Sequence, residues 1–399
     1  MNKYKNVSNK FEIINIKHKN IDIDANVVYR KRKSITIQIK PKYEVTIISP
    51  YGVPKKILKD LLIQKGDWIL KKFEEYKSVE YGVSKYKGVT IKDIKTLPGK
   101  HFEAITHTFI AVLYARKIHA DIVHIHAIGP SLMIPIVRIL GMKAVMTHHG
   151  PDYDRQKWGK LSKSVLKIGE KLGVKYANHV IVISQHIRNI VQRKCPTQKK
   201  ISLIYNGVNL TCSQTDNNYL KELGVEKYSY ILAVGRFVKE KGFDLLLEAY
   251  KKLYNKNIKL IIAGDADHED QYSSTLKDIA QKQGVILTGF IQKDKLSQLY
   301  SFARLFVLPS YHEGLPISLL EAMNCCCDVL VSDIPANKEV GLNDSCYFKC
   351  GDIQDLKNCL DIKLQSPLTP HKYNMTSYNW DHIAQQTKDI YDSLSQKTI

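Results

Sequence analysis

The chain has 399 residues, 44% apolar and 25% charged, a globular balance that excludes a disordered protein and allows two or three domains. No apolar run reaches the roughly 18 residues of a membrane span, and Met1 to Lys10 lacks the apolar stretch of a signal peptide, so a cytoplasmic protein is expected. A net charge of +21 calls for an anionic partner: nucleic acid, an anionic membrane surface or a phosphorylated substrate.

Three textures follow one another. Residues 1–81 read as short β-type runs, Val27–Arg30, Ile35–Ile39 and Val45–Ile48, followed by one helix from Pro54 to about Lys77. Residues 82–205 alternate strand and helix, with apolar runs at Ile122–Ile125, Ala144–Met146 and Val180–Ile183, a rhythm that predicts a parallel sheet with crossover helices. The turn residues Tyr205–Asn209 break the pattern and open a second α/β unit, residues 206–370. Its predicted strands are Ile231–Val234, Leu260–Ala263, Val285–Thr288, Leu305–Leu308 and Val329–Ser332. Residues 371–399 read as a helical tail around Trp380 and Ile390. The expected architecture is α/β: two Rossmann-like domains facing a ligand cleft, behind an atypical β-rich segment plus helix.

Eight cysteines occur without a CxxC pair, so reduced, mostly buried thiols are expected.

The chemistry-bearing residues concentrate in the second unit. Strand Ile231–Val234 runs into Gly235-Arg236, with Lys241 just before the next helix. The glycine permits close backbone approach, and two cations stand above the carboxyl end of a strand, where open α/β sheets bind anions. Strand Leu305–Leu308 runs into Pro309-Ser310-Tyr311-His312-Glu313-Gly314-Leu315-Pro316 and then a helix holding Glu321. The amides and dipole of that helix start form a second anion site. A departing diphosphate gathers negative charge, which such groups stabilise without a metal. No metal and no other cofactor is expected. In the first unit, His126 and the His148-His149 pair end neighbouring strands; they fit ordinary polar strand ends or a metal site, for which no third ligand stands out.

Residues 228–358 resemble the C-terminal domain of glycosyltransferase family 4 through GRFVKEKGFDLLLEAY, LIIAGD, ILTGF, LFVLPSYHEGLPISLLEAM and LVSDIPAN. The resemblance implies the GT-B fold and retaining transfer from a nucleotide-diphosphate sugar. It implies that Arg236 and Lys241, with Gly235, bind the diphosphate, that Glu313 and Glu321 are the acids of an E-x7-E motif, and that Gly314, Leu315 and Pro316 lie over the donor sugar. Phe290 and Ile291 fall where the family packs the nucleobase. Asn324 to Asp328 departs from the pattern, because relatives often carry a glycine-containing turn there.

Residues 84–205 are similar to the later part of the family's acceptor-side domain, through HIHAIGPSLMIPIVRILGMKAVMTHHGPDYDRQKWGK, which is close to a subgroup tied to rhamnosyl transfer in capsule, O-antigen or exopolysaccharide assembly. His149 matches a histidine beside the donor sugar and joins Glu313 as an expected catalytic residue. His126 and Gly129 match cleft positions, and Asp152, Arg155 and Trp158 an acceptor-side motif. The implied acceptor is a glycan or lipid-linked oligosaccharide. Lys160, Lys163, Lys167, Lys171 and Lys175 repeat at helical spacing beside Leu161, Val165, Ile168 and Leu172, which fits either a solvated face or a helix lying on an anionic leaflet.

The family's opening strand, glycine-rich loop and helix have no counterpart upstream of Lys87. Residues 27–77 instead resemble the start of YgjP-like metallopeptidase-like proteins, through VVYRKRKSITIQIKPKYEVTIISPYGVP and QKGDWILKKFEEYK, without the HExxH helix. Either a foreign fragment replaced the opening unit, or Val45–Ser49, Tyr51–Val53 and helix 55–77 stand in for it. Three functions are therefore open: a polysaccharide glycosyltransferase, an impaired chimeric relative that only binds nucleotide, and a basic nucleic-acid-binding protein, for which no recognition motif is found.

Overall fold

The structure is a computed structural model that describes residues 12–395 except 20, 31–33, 41–43, 78–84, 87, 95, 97–102, 155–158, 210–211, 213–215, 255–256, 268 and 369–370. The chain divides into two compact units, Met1–Asp93 and Ile94–Ile399.

The first unit is a four-stranded mixed sheet in the order Glu12–His18, Ile21–Tyr29, Glu44–Ser49, Thr36–Lys40. Its strands alternate buried and exposed positions. Ile16, Ile23, Val27 and Ile47 cluster with Leu58, Leu62 and Ile69 of the helical segment. That segment is two helices, Lys55–Gln64 and Gly66–Lys77, rather than the one expected. The break falls at Gly66, where a Cβ would lie 2.5 Å from the ring of His18, and His18 Nε2 meets Asp67 Oδ1 at 2.8 Å. Strand Glu44–Ser49 pairs with a neighbour on each side, parallel to Ile21–Tyr29 and antiparallel to Thr36–Lys40. Both its edges are therefore taken within its own sheet, and the stand-in expectation for Val45–Ser49 fails.

The second unit holds two all-parallel sheets. The first runs Ile201–Leu203, His179–Val182, Lys143–His148, Ile122–His126, which leaves Ile122–His126 with one strand neighbour among the described residues. The second runs Ile286–Gly289, Lys259–Ala263, Tyr230–Val234, Leu305–Leu308, Val329–Ser332, Tyr347–Phe348. Its four central strands are almost wholly buried, as continuous apolar runs covered by helices on both faces must be, while the edge strand Ile286–Gly289 is only partly buried. The strand order reverses between Tyr230–Val234 and Leu305–Leu308, and ligands bind at the carboxyl ends of strands at such a switch point.

The tail crosses back. Helix Trp380–Ser395 packs Ile383 and Ile390 against Val145, Ile181 and Ile204 of the first sheet. A Cβ on Gly207 would stand 2.7 Å from the Trp380 indole, so only glycine admits this crossing at the hinge.

The thiol expectation needs one correction. Cys212, just past the hinge, is bonded to Cys325 at the end of helix Ile317–Asn324, with Cα atoms 5.3 Å apart. The fold brings these residues together across 113 positions of sequence. The other six cysteines are free, Cys327 and Cys346 among them buried.

Candidate functional site

The two strands at the switch point are knitted together above their ends. Gly242 has φ +64, and a Cβ there would meet the Pro309 carbonyl at 2.2 Å. Tyr311 N–H donates to Glu240 O at 2.8 Å. This lock brings Lys241 Nζ to 2.6 Å from Glu313 Oε1, and Ser310 Oγ donates to the same oxygen at 2.7 Å. Arg236 lies in the same cleft and pairs with Asp267 at 2.7 Å. That pair is half exposed, a geometry worth less than about 1 kcal/mol, so a stronger anion can displace it.

The cleft has a volume of about 520 Å³ and is lined from both domains, by His149, Gly150 and Asp152 on one wall and Arg236, Lys241 and Glu313 on the other. The walls touch at one point. A Cβ on Gly314 would come within 2.7 Å of the His149 carbonyl, and one on Gly150 within 4.0 Å of Gly314 Cα. Gly150 has φ +133, which L side chains rarely adopt.

His149 Nε2 and His126 Nδ1 are 3.1 Å apart. The His126 ring stacks on His124, with centroids 4.3 Å apart. His124 in turn meets Thr147 Oγ1 at 2.7 Å and Tyr391 OH of the returning tail at 2.5 Å. Burial, then the neighbouring histidines, push His149 and His124 down to about 4; for His149 Asp152 acts in the opposite direction. His149 is therefore uncharged near neutral pH and can hydrogen-bond a sugar hydroxyl without acting as a cation. Among the described residues no group of three or more His, Cys, Asp or Glu could hold a metal ion. The sequence Asp265-Ala266-Asp267 does border the site, but both carboxylates face cations, Lys277 at 2.8 Å and Arg236 at 2.7 Å.

Gly235, Phe290, Ile291, Leu315, Pro316, Glu321, His126 and Gly129 are not part of the lining of this cleft, though Gly235 directly precedes Arg236 and His126 Nδ1 reaches His149. The Leu315 side chain is buried in the core with Leu319 and Leu320, which anchors the loop that carries it. Glu321 accepts from the buried Tyr300 hydroxyl at 3.0 Å, and burial raises its carboxyl against that hydrogen bond and the Lys293 charge. Phe290 is exposed at the end of strand Ile286–Gly289. Gly129 caps a 3₁₀ turn, Pro130–Met133. Arg155 and Trp158 lie outside the described residues. Asp267 and Ser310 were missed; Ser310 sits within the PSYHEG run, but no local signal marks Asp267 as the partner of Arg236.

A family model described as "Glycosyltransferase Family 4" matches residues 73–211, and one described as "Glycosyl transferases group 1" matches residues 216–380. Over 384 residues the chain is 25% identical to the uncharacterized glycosyltransferase MJ1607 of Methanocaldococcus jannaschii, covering 88% of this chain and 96% of that protein. Over 297 residues it is 27% identical to the UDP-Gal:alpha-D-GlcNAc-diphosphoundecaprenol alpha-1,3-galactosyltransferase of Escherichia coli, 69% of this chain and 76% of that one. Among solved structures, Anabaena Alr3699/HepE in complex with UDP is similar in fold, with a TM-score of 0.64 at 17% identity over 82% of this chain and 89% of that chain.

Proposed function

The chain is a glycosyltransferase of the GT-B fold, and from that premise we propose that it moves a hexose, rhamnose included, from a nucleotide-diphosphate donor to a glycan or lipid-linked acceptor during surface polysaccharide assembly. The observation that carries the reading is the convergence of Arg236, Lys241 and Glu313 at the switch point, opposite His149. The two cations, with the first amides of helix Ile317–Asn324, meet the charge that grows on the leaving diphosphate, so no metal is called upon. Glu313 and the uncharged His149 hold the sugar, and the sugar is transferred with retention. The UDP bound in the Anabaena structure and the lipid-linked acceptor in the E. coli protein's name support this choice of substrates.

The same reading places the protein at the cytoplasmic face of the cell membrane. No described helix is long and apolar enough to cross a bilayer. Helix Lys160–Tyr176 exposes Lys160, Lys167, Lys171 and Lys175 around Leu161 and Ile168, which are 81% and 51% exposed. An apolar stripe flanked by lysines suits an anionic leaflet. Co-sedimentation with anionic liposomes at low salt, lost on Leu161→Glu with Ile168→Glu, is the expected result.

The donor reading is tested by thermal shift with UDP, GDP and dTDP, followed by turnover of the stabilising nucleotide's sugars on a lipid-linked acceptor. Glu313→Ala is expected to abolish turnover; retained activity removes Glu313 from the mechanism. A second reading, nucleotide binding without efficient transfer, is favoured by one observation, that Ile122–His126 has one strand neighbour among the described residues. Hydrolysis and transfer both absent, with nucleotide binding intact, would select it.

A further inference from the structure

Behind the His149–Gly150 turn lies a buried network outside the cleft lining. His148 is fully buried. Its Nδ1 accepts the Gly150 N–H at 3.1 Å, and its Nε2 lies 3.0 Å from Glu170 Oε1. Since Nδ1 must offer a lone pair to the amide, the ring proton sits on Nε2 and is donated to the carboxylate. Glu170 is 4% exposed and would be costly there as an isolated charge. It is held by three elements: Oε1 also accepts the Tyr153 hydroxyl at 3.2 Å, and Oε2 takes Lys194 Nζ at 2.9 Å. Burial alone would raise the Glu170 carboxyl; the hydrogen bonds from His148 and Lys194 outweigh it and keep the carboxyl below its usual range.

The helix bearing Glu170 is itself seated by glycines. A Cβ on Gly169 would meet the Ile128 carbonyl at 2.3 Å, and one on Gly173 the Ser131 Cβ at 2.6 Å. Glu170 therefore sits at a fixed depth below the turn. Gly150, at φ +133, is the residue in that turn least able to hold its conformation unaided, because glycine has the widest choice of backbone states.

We propose that His148 and Glu170 are positioning residues: the chain Lys194–Glu170–His148–Gly150 holds the His149–Gly150 turn against Gly314 and so presents His149 to the bound donor. The proposal rests on the reading that His149 meets the donor sugar. The network itself touches no substrate.

The test has a part that needs no variant. In the full chain with 15N-labelled histidine, His148 is expected to show a protonated Nε2 and an unprotonated Nδ1; the opposite tautomer overturns the proposal. The Gly150 amide is then followed by hydrogen exchange. His148→Leu keeps bulk but removes the acceptor, and exchange should accelerate at least tenfold. His148→Asn restores an acceptor near the Nδ1 position, and protection should return. Unchanged exchange in His148→Leu, or no recovery in His148→Asn, overturns the proposal. Calorimetry with UDP and UDP-glucose separates this from the donor reading. UDP is expected to bind wild type and His148→Leu alike, with UDP-glucose losing its added affinity in His148→Leu alone. If wild type binds GDP or dTDP instead, that nucleotide and its nucleotide sugar take the place of UDP and UDP-glucose; failure of all three to bind wild type would remove the donor reading and leave the tautomer and exchange results to decide the network. Equal UDP-glucose binding by wild type and His148→Leu would overturn the presentation of His149.

Discussion

Lys241 and Glu313 form an ion pair, 2.6 Å apart and 19% and 10% exposed, across the two strand ends where the donor diphosphate is expected. The cation expected to meet phosphate is paired with a carboxylate, so an incoming diphosphate must compete with Glu313 for Lys241. Glu313→Gln should therefore bind UDP about 3- to 10-fold more tightly, roughly 1 kcal/mol, while losing turnover. Lys241→Met should weaken UDP binding by tenfold or more. Calorimetry checks both, and a weaker Glu313→Gln complex would show that the pair assists binding.

The depressed histidines set an acid limit on stability. His124 and His149 titrate near 4 in the fold and near 6.5 when unfolded. Between these values the unfolded chain holds more protons, so stability falls as pH drops from about 6.5 toward 4. The thermal midpoint should decline over that window; below it the histidine contribution levels off, and protonation of Glu170, whose carboxyl lies below its usual range, adds a further decline. His124→Gln should make the decline shallower, and an unchanged slope would remove His124 from the effect.

Glu339 ties the two Rossmann-like domains at their hinge. From the donor side it accepts the backbone N–H groups of Gln185, and of His186 at 3.1 Å, at the start of helix Gln185–Lys194 on the other side. A carboxylate on first-turn amides also meets the positive end of the helix dipole. Glu339→Ala should cost about 1–3 kcal/mol in urea unfolding. A change within 0.5 kcal/mol, roughly the scatter of ordinary surface substitutions, would make the contact incidental.

Cys326 occupies a left-handed turn, φ +57, within the segment where the sequence departs from a glycine-containing pattern. A side chain there costs about 1–2 kcal/mol, partly offset because glycine loses more entropy on folding. Cys326→Gly should therefore stabilise the protein by about 0.5–1 kcal/mol, measured as a rise in the unfolding midpoint. Destabilisation would indicate that the Cys326 side chain has contacts worth more than the strain.

The sequence disclosed the donor half almost to the residue, because buried parallel strands must be continuous apolar runs. Leu305–Leu308 and Val329–Ser332 fall where expected, and Tyr230–Val234 and Lys259–Ala263 begin one residue earlier. The sheet edge Glu12–His18 went unread, since alternating Ile with charged residues is a weak signal in a lysine-rich stretch. Contacts set by folding were invisible. Nothing local to Tyr391 announces that the returning tail reaches His124, 267 positions away, and nothing near Glu339 announces its seat on Gln185. Glu321 lies on the helix as its spacing from Glu313 implies, but that spacing could not show that one of its carboxylate oxygens accepts from Tyr300. The Cys212–Cys325 bond likewise needed the fold, because the two thiols lie 113 positions apart in the sequence.

The central claim is that Arg236 and Lys241 form a donor diphosphate site. Titration of UDP, GDP and dTDP into wild type and into Arg236→Ala/Lys241→Ala tests it directly. At least one nucleotide is expected to bind wild type, with an affinity that falls by a hundredfold or more in the double variant. Binding of none, or equal binding by both proteins, would contradict it.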